Sequence, residues 1–503
     1  MSQQIPEANL EEAIAAIDLG SNSFHLIVAR VIEGHLQIID KMKEMVRLGE
    51  GLTVDKRLDP VVSKRALECL SRYSQRLRPL LAENIRVVGT NTMRQIHPDD
   101  NFHSLAEKAL LHPIEIIAGR EEARLVYLGV AHGLAAANEK RLVVDIGGGS
   151  TELIIGEGYL PHERESLHMG CVSMSRRFFM DGVITDHAMH EAELACALEI
   201  RPVRNEFKEG GWMRAIGSSG TIKSIGNVVI EQGWSETGIT RESLDRLKQY
   251  LIDAGSIDKV SLKGLSEERK PVFAGGLAVL SAVFEHIGID HMDVSSEALR
   301  EGLIYDMIGR SHHEDARERT LKTLRRRYDI DEAQANRVET TALALLDRAK
   351  RAWQLEEPRY LAMLSWAAKV HEIGLTVSHS QFQKHGAYLL EKSDLSGFSL
   401  QEQKVLAALV RGHRRKFPSA IFDSLPREVV TCTKQLCILL RLSVLSHRAR
   451  SSVAKPMPRL EVEENRISLV FPDDWINHHP LTRAELQQEA QYLNSAGYLL
   501  RFS

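Results

Sequence analysis

The chain has 503 residues, 43% hydrophobic and 26% charged, an ordinary globular composition. That length predicts about two to four domains with cores that need no disulfide staples. Lys and Arg total 64 against 68 Asp and Glu, a formal charge of −4. The balance excludes a generally basic nucleic-acid binder, whose affinity rests on excess positive charge, but not a local basic groove.

Met1 to Glu12 is polar and lacks the basic and apolar regions of a signal peptide. No run of about 18 uninterrupted apolar residues occurs, so no transmembrane helix is expected. The five cysteines, Cys69, Cys171, Cys196, Cys432 and Cys437, are scattered and form no CxxC pair. This excludes a zinc ribbon or disulfide framework and makes a reducing cytoplasm the expected compartment.

In chain order, Ala13 to Arg30 reads as a β-hairpin about the turn Gly20-Ser-Asn-Ser23, with a third strand within Val31 to Leu48. A helix over Pro60 to Leu81 follows, then strands at Ile85–Gly89 and at Ile114 onward, and a helix opened by Gly119-Arg-Glu-Glu122. The opening pattern then recurs. Asp145-Ile-Gly-Gly-Gly-Ser-Thr-Glu152 matches the first hairpin at Asp18/Asp145, Gly20/Gly147 and Ser23/Ser150, an offset of 127 residues. A fixed offset of that size signals duplication and predicts two related α/β lobes across a cleft. Trp212 to Thr221 is a further strand-into-turn element, and helices at Ala274–His286 and Leu299–Arg310 close the second lobe. Beyond Ser311 the segments Asp331–Ala352, Arg359–Ile373, Ala387–Leu390 and Gln401–Val410 read as helices. Leu460–Phe471 alternates like a strand pair, and Thr482–Asn494 reads as a last helix. The expected domains are 1–126, 127–310 and 311–503.

The paired turns carry the chemistry. Gly147, Gly148 and Gly149 let backbone N–H groups approach an anion without Cβ obstruction, and Ser150 adds a hydroxyl. Gly20, Ser21, Asn22 and Ser23 supply the opposing side. Asp145, at a strand end, suits a hydrated Mg²⁺. Two such loops describe a phosphate clamp, and neither the Walker nor the dinucleotide-binding glycine pattern is present.

These segments, together with Val88-Gly-Thr-Asn-Thr-Met-Arg94, Gly119-Arg-Glu-Glu-Ala-Arg-Leu125, His168-Met-Gly-Cys-Val-Ser173, Gly217-Ser-Ser-Gly-Thr221 and Ala298-Leu-Arg-Glu-Gly302, resemble the exopolyphosphatase/guanosine pentaphosphate phosphatase family. Trp366 to Leu375 and His385 to Leu390 extend the resemblance over essentially the whole chain, in its long bacterial form. The resemblance implies a duplicated actin-like (ribonuclease H-like) α/β core of two lobes, then a mainly helical, HD-like region and a small α+β segment. It implies Mg²⁺-dependent removal of terminal orthophosphate from inorganic polyphosphate, with guanosine pentaphosphate as the alternative substrate, no nucleic acid, and a homodimer. The triple glycine and the basic Arg411-Gly-His-Arg-Arg415 segment put exopolyphosphatase first. A nucleotide-binding switch of the actin or Hsp70 kind is the reading from another class, disfavoured by the pairing of Glu122 with Glu152.

Residue by residue, the resemblance makes Glu122 the base that activates the attacking water. On the residues alone Glu121 and Glu122 are equivalent acids at a helix start. Glu152 becomes a second carboxylate orienting water or metal, Asp145 the metal-side acid, and Arg94 a phosphate ligand. Gly217, Ser218, Ser219, Gly220 and Thr221 fall where actin-like relatives bind nucleotide. His379, Arg411, His413, Arg414 and Arg415 are candidates for a polyphosphate channel, with Arg325–Arg327 and Arg441. His371 and Glu372 stand where HD-type phosphohydrolases have a His-Asp pair, and core packing is the expected role there.

Overall fold

The computed structural model describes residues 13–32, 35–134, 139–311, 315–451, 456–472 and 475–503. The reading of residues 1–12 therefore lies outside the described residues. The chain divides into two compact units between Asp315 and Ala316.

The first unit contains two sheets. Strands β1 (Ile14–Leu19), β2 (Phe24–Ile32), β3 (His35–Glu44), β4 (Ile85–Gly89) and β5 (Glu115–Ile116) lie in the order β3-β2-β1-β4-β5. Strands β6 (Lys140–Ile146), β7 (Thr151–Glu157), β8 (Leu160–Leu167), β9 (Arg214–Ser218), β10 (Ile239–Thr240) and β11 (His291–Val294) lie in the order β10-β11-β9-β6-β7-β8. Read backwards, the second order repeats the first, with β10 added at the edge. Registers repeat as well: Asp18 pairs with His25 across β1 and β2, and Asp145 with Glu152 across β6 and β7. The duplicated actin-like core is thus present in topology and in hairpin register. Central strand β6 is buried from Arg141 to Ile146, which explains its nearly continuous apolar run.

Helices Gly119–His132 and Leu299–Ser311 occupy the space between the sheets. Ala123, Val126 and Val130 of one, with Leu299, Leu303 and Ile304 of the other, share a core with Ala16 and Ile27 of the first sheet and Val143 and Ile154 of the second. The expected lobe division at 126/127 falls inside the first of these helices. The helix cannot be split there because it serves both sheets, and β6 begins only at Lys140. The helix backbones approach so closely that a Cβ on Gly302 would lie 1.8 Å from the Leu125 carbonyl oxygen, and one on Gly129 2.1 Å from that of Ala298. A buried charge network fixes the same junction. Asp306 accepts from Arg86 and Arg124, each at 2.6 Å, and from Arg310 at 3.1 Å. Burial opposes its ionisation, yet Arg124, Arg86 and Arg310 hold Asp306 well below the usual carboxylate range.

The second unit is mainly helical, around one core that includes Leu345, Leu364, Trp366, Leu409 and Leu439. Strands β12 (Arg459–Glu463) and β13 (Arg466–Val470) form the expected antiparallel pair, and β14 (Leu499–Phe502) adds parallel to β13. Lys270–Ile287 and Arg427–Ser446 are long and apolar enough to span a bilayer, but most of each is buried inside the protein.

Gly302→Val is expected to destabilise the protein by about 2–3 kcal/mol through overpacking against a backbone that cannot retreat. Chemical denaturation measures this, and an unchanged midpoint would show that the helices can part.

Candidate active site

Asp18 and Asp145 are each the penultimate residue of a central strand, and each strand leads into one of the two glycine turns. The turns meet: a Cβ on Gly148 would lie 2.8 Å from the Ser21 Cβ. Their carbonyls are occupied. Ser21 O accepts from Gly49 N and Asn22 O from Arg47 N, both at 2.7 Å. In the second turn, Gly147 O accepts from Cys171 N at 3.0 Å and Gly148 O from Val172 N at 2.8 Å. In a trans peptide, C=O and N–H point in opposite directions. The N–H groups of Asn22, Ser23, Gly148 and Gly149 are therefore aimed away from these partners, as an anion cradle requires.

The two glutamates at the helix start separate cleanly. Glu121 is locked by Arg124, which donates from Nε at 2.8 Å and Nη2 at 2.7 Å. Glu122 instead accepts from Arg94 Nη1 at 2.8 Å, and the same arginine nitrogen donates to Ile117 O at 2.9 Å. The residue expected as base and the arginine expected to hold phosphate are thus in direct contact. Glu152 is fully buried and accepts from Ser166 Oγ at 2.8 Å through Oε1.

Asp18 Oδ1, Asp145 Oδ1, Glu152 Oε2 and both polar atoms of Asn22 are buried without a hydrogen-bond partner among the described residues. Burial, then the neighbouring Glu122 carboxylate, pushes Asp18 up to about 7. Burial pushes Asp145 up to about 6 against a Ser218 hydrogen bond, and burial with Glu122 and Asp145 raises Glu152 well above the usual range. Crowded acids with orphaned oxygens fit a hard divalent cation, and Asp145 and Glu152 are the residues to hold it, with Asp18 beside them. Among the described residues no three His, Cys, Asp or Glu side chains form a complete cage. A cation here would keep water and substrate oxygens as ligands, which is the habit of Mg²⁺.

The Gly217–Thr221 segment, where β9 passes directly into the helix Ser219–Glu231, joins the same site through register: Ser218 pairs with Asp145 across β9 and β6. Gly220 abuts Arg269, whose Nη2 would lie 1.8 Å from an added Cβ. His25 links the lobes. Arg300 Nη1 donates to His25 Nδ1 at 2.5 Å, so Nε2–H donates to Ser23 Oγ at 2.7 Å. Burial, then Arg300, Lys43, Arg269 and Lys223, hold His25 well below its usual range and keep it neutral.

A profile of the Ppx/GppA phosphatase family matches residues 27–311, and one of Ppx/GppA phosphatase, domain III, matches residues 316–490. The chain is 40% identical over 489 residues to a guanosine-5'-triphosphate,3'-diphosphate pyrophosphatase of Vibrio cholerae, covering 97% of each chain. It belongs to the Ppx/GppA phosphatase family. A Pseudoalteromonas translucida protein of the same description is 38% identical over 500 residues, covering 99% of each. Among solved structures, an exopolyphosphatase from Cytophaga hutchinsonii superposes with a TM-score of 0.54 at 22% identity, covering 59% of this chain and 97% of its own, a likeness of fold. Family membership makes the chain a hydrolase of phosphoanhydride bonds.

The Ppx/GppA motifs led to most of this site, but Asp18 was given no role from sequence, and His25, Ser166 and Arg300 were not singled out. The match of Asp18 to Asp145 already pointed to a shared role, and Arg300 lies within the quoted Ala298-Leu-Arg-Glu-Gly302 segment. Ser166 sits in polar β8, which carries no motif. In the second unit, His379, Arg411, Arg414 and Arg415 line one cavity of about 620 Å³, with Lys384 and Lys416. His413 does not belong with them: it is 1% exposed, with Nδ1–H donating to Val410 O at 2.6 Å. Arg441 is equally buried, bonded to Glu489 and to the carbonyls of Gly412 and Arg415, and holds the fold rather than a channel.

Glu122→Gln is expected to lower kcat about 10²–10⁴-fold with little change in KM, the range for a positioned general base. Full retention of turnover would remove that role. The raised acids also predict a sign for stability. Their protons are held more tightly in the folded state, so their contribution is complete below about pH 4 and is lost as pH rises through about 6–7. In chelator, Asp18→Asn should raise Tm at about pH 8 and flatten its fall from about pH 5. Curves parallel to wild type would count against a strained acid cluster.

Proposed function

We propose that this enzyme hydrolyses the terminal 5′ phosphate of guanosine pentaphosphate, giving the tetraphosphate and orthophosphate. The observation that carries the reading is the pair of full-length relatives, at 40% and 38% identity, both described as guanosine-5'-triphosphate,3'-diphosphate pyrophosphatases. This reverses the order expected from sequence, where polyphosphate came first on the triple glycine and the basic segment. The reason is local. An added Cβ on Gly149 would meet Asn91 Oδ1 at 2.7 Å, so the third glycine serves the packing of the turn and does not report substrate length. A second cationic group, Lys43, Lys223, Arg269 and Arg300, surrounds His25 beside the Gly217–Thr221 segment. A nucleotide with two separate phosphate groups gives both this cluster and Arg94 a partner.

In the proposed reaction the two turns grip the terminal phosphoryl group through backbone N–H, and Arg94 donates to its equatorial oxygens. Glu122 accepts a proton from the attacking water, in line with the scissile bond. Ser166 fixes one oxygen of Glu152, leaving Oε2 to orient water or metal. Asp145 and Glu152 would hold Mg²⁺, which would supply charge neutralisation at the phosphate oxygens.

Polyphosphate is the second reading, favoured by the basic cavity of the second unit, whose Lys384, Arg411, Arg414, Arg415 and Lys416 offer repeated contacts to a chain of phosphates. Phosphate release from pentaphosphate, long-chain polyphosphate and ATP, measured side by side, tests both. Pentaphosphate is expected to give the highest kcat/KM, and faster turnover of polyphosphate would reverse the assignment. Arg269→Ala should raise KM for pentaphosphate about tenfold, the loss of one charge-assisted contact of roughly 1.4 kcal/mol. Reversal of Arg411, Arg414 and Arg415 to Glu should leave pentaphosphate turnover intact.

A further inference from the structure

We propose that His25 is a positioning residue for the reaction: with Arg300 behind it, the ring fixes the Ser23 hydroxyl as a hydrogen-bond donor to the phosphoryl group held between the turns. The inference needs only a terminal phosphoryl group, so it stands whichever of pentaphosphate and polyphosphate is the substrate. Placement comes from register. His25 of β2 pairs with Asp18 of β1, so both side chains stand on one face of the first sheet. Ala16 and Ile27, which pair with each other on that face, lie in the core shared by the two lobes. Ser23, two residues before His25, falls on the same side, at the end of the first glycine turn.

Hydrogen directions follow from the chemistry of the three groups. A guanidinium has only donors, so His25 Nδ1, 2.5 Å from Arg300 Nη1, must offer its lone pair. The ring is neutral, because burial and the surrounding Arg300, Lys43, Arg269 and Lys223 oppose its protonation. Its one hydrogen is therefore on Nε2, 2.7 Å from Ser23 Oγ. Ser23 Oγ accepts there, and its own hydrogen must point away from the ring. No group among the described residues takes that hydrogen, and even Asp18 Oδ1, on the same face, is without a partner. The opposite tautomer would reverse the outcome. Ser23 would then give its hydrogen to the ring and turn only lone pairs toward an anion.

Arg300 is held in turn. Its Nη2 lies 3.6 Å from Oε1 of the buried Glu301, whose Oε2 accepts from Ala298 N at 2.9 Å. The helix Leu299–Ser311 thus anchors the charged end of the chain. Each link donates toward the phosphate: guanidinium to Nδ1, Nε2–H to Oγ, and O–H onward. Donors aligned in one direction polarise one another, and a cation at the head strengthens the last O–H as a donor. Packing alone does not call for this ring, because a buried polar side chain carries a desolvation cost that an apolar one would not. The duplicated hairpin carries Glu152 at the same position, with Oε1 bonded to Ser166, so the two turns are not equivalent.

The test follows phosphate release by the full-length protein from whichever of the two substrates wild type hydrolyses faster. Ser23→Ala should lower kcat/KM about 10–100-fold, the loss of one hydrogen bond to a charged group. His25→Leu, which frees the hydroxyl to rotate and removes the polarising chain, should lower it about 5–10-fold. Because His25 acts through Ser23, the double variant should be no worse than Ser23→Ala alone. His25→Gln sets an amide donor in place of Nε2–H and should recover most of the loss. A further loss in the double variant equal to that of His25→Leu, as a merely structural ring would give, overturns the proposal. So does a His25→Gln enzyme no faster than His25→Leu. If the His25 variants do not fold, the wild-type ring decides. Long-range proton–nitrogen correlation of nitrogen-labelled histidine, with His25 assigned by its shift in Ser23→Ala, should show hydrogen on Nε2 and a bare Nδ1. An Nδ1–H tautomer or a charged ring overturns it.

Discussion

Burial of like charge at two strand ends is the constraint around which the first unit is organised. Asp18 and Asp145 close central strands of opposed sheets, and Glu152 and Glu122 lie within electrostatic reach of them. Carboxylates taken out of water repel one another and lose hydration, so their protons are held more tightly and any opposite charge brought to them is favoured. The surrounding devices answer that need. The glycine turns present N–H dipoles, Arg94 contacts Glu122, and the Asp306 network fixes the helix that carries Glu122.

The duplication shows how two similar hairpins came to different tasks. His25 and Glu152 occupy the same cross-strand position relative to Asp18 and Asp145. In one lobe the position carries a neutral ring that connects Ser23 to Arg300. In the other it carries a buried acid with one oxygen on Ser166 and the other without a hydrogen-bond partner among the described residues. One backbone thus yields a structural link and a chemical group, according to the side chain placed opposite the aspartate.

Much of this was legible in the sequence, for identifiable reasons. Apolar runs entering and leaving Gly/Ser turns located β1, β2, β6 and β7, and the repeated Asp-Gly-Ser spacing disclosed the duplication. Strand β8 escaped because only Leu167 is buried and His162 to Ser166 are all polar, Leu160-Pro-His-Glu-Arg-Glu-Ser-Leu167, leaving no apolar alternation to read. Ser166 escaped with it. The choice between Glu121 and Glu122 could not come from spacing, since adjacent residues at a helix start share the dipole. In the sequence only the resemblance selected Glu122; in the structure Arg124 binds Glu121 and Arg94 binds Glu122. Arg414 and His413 are neighbours in a basic run, yet one lines a cavity and the other is buried, because the chain turns at the end of the helix Leu400–Gly412.

The contact between Gly129 and Gly302 bears on how the lobes can move. Two helices whose backbones touch have no side-chain layer to slide along, so shear between them is blocked. Rotation about the crossing point remains open, since it leaves that single contact in place. The glycine pair therefore favours angular over sliding motion of the lobes.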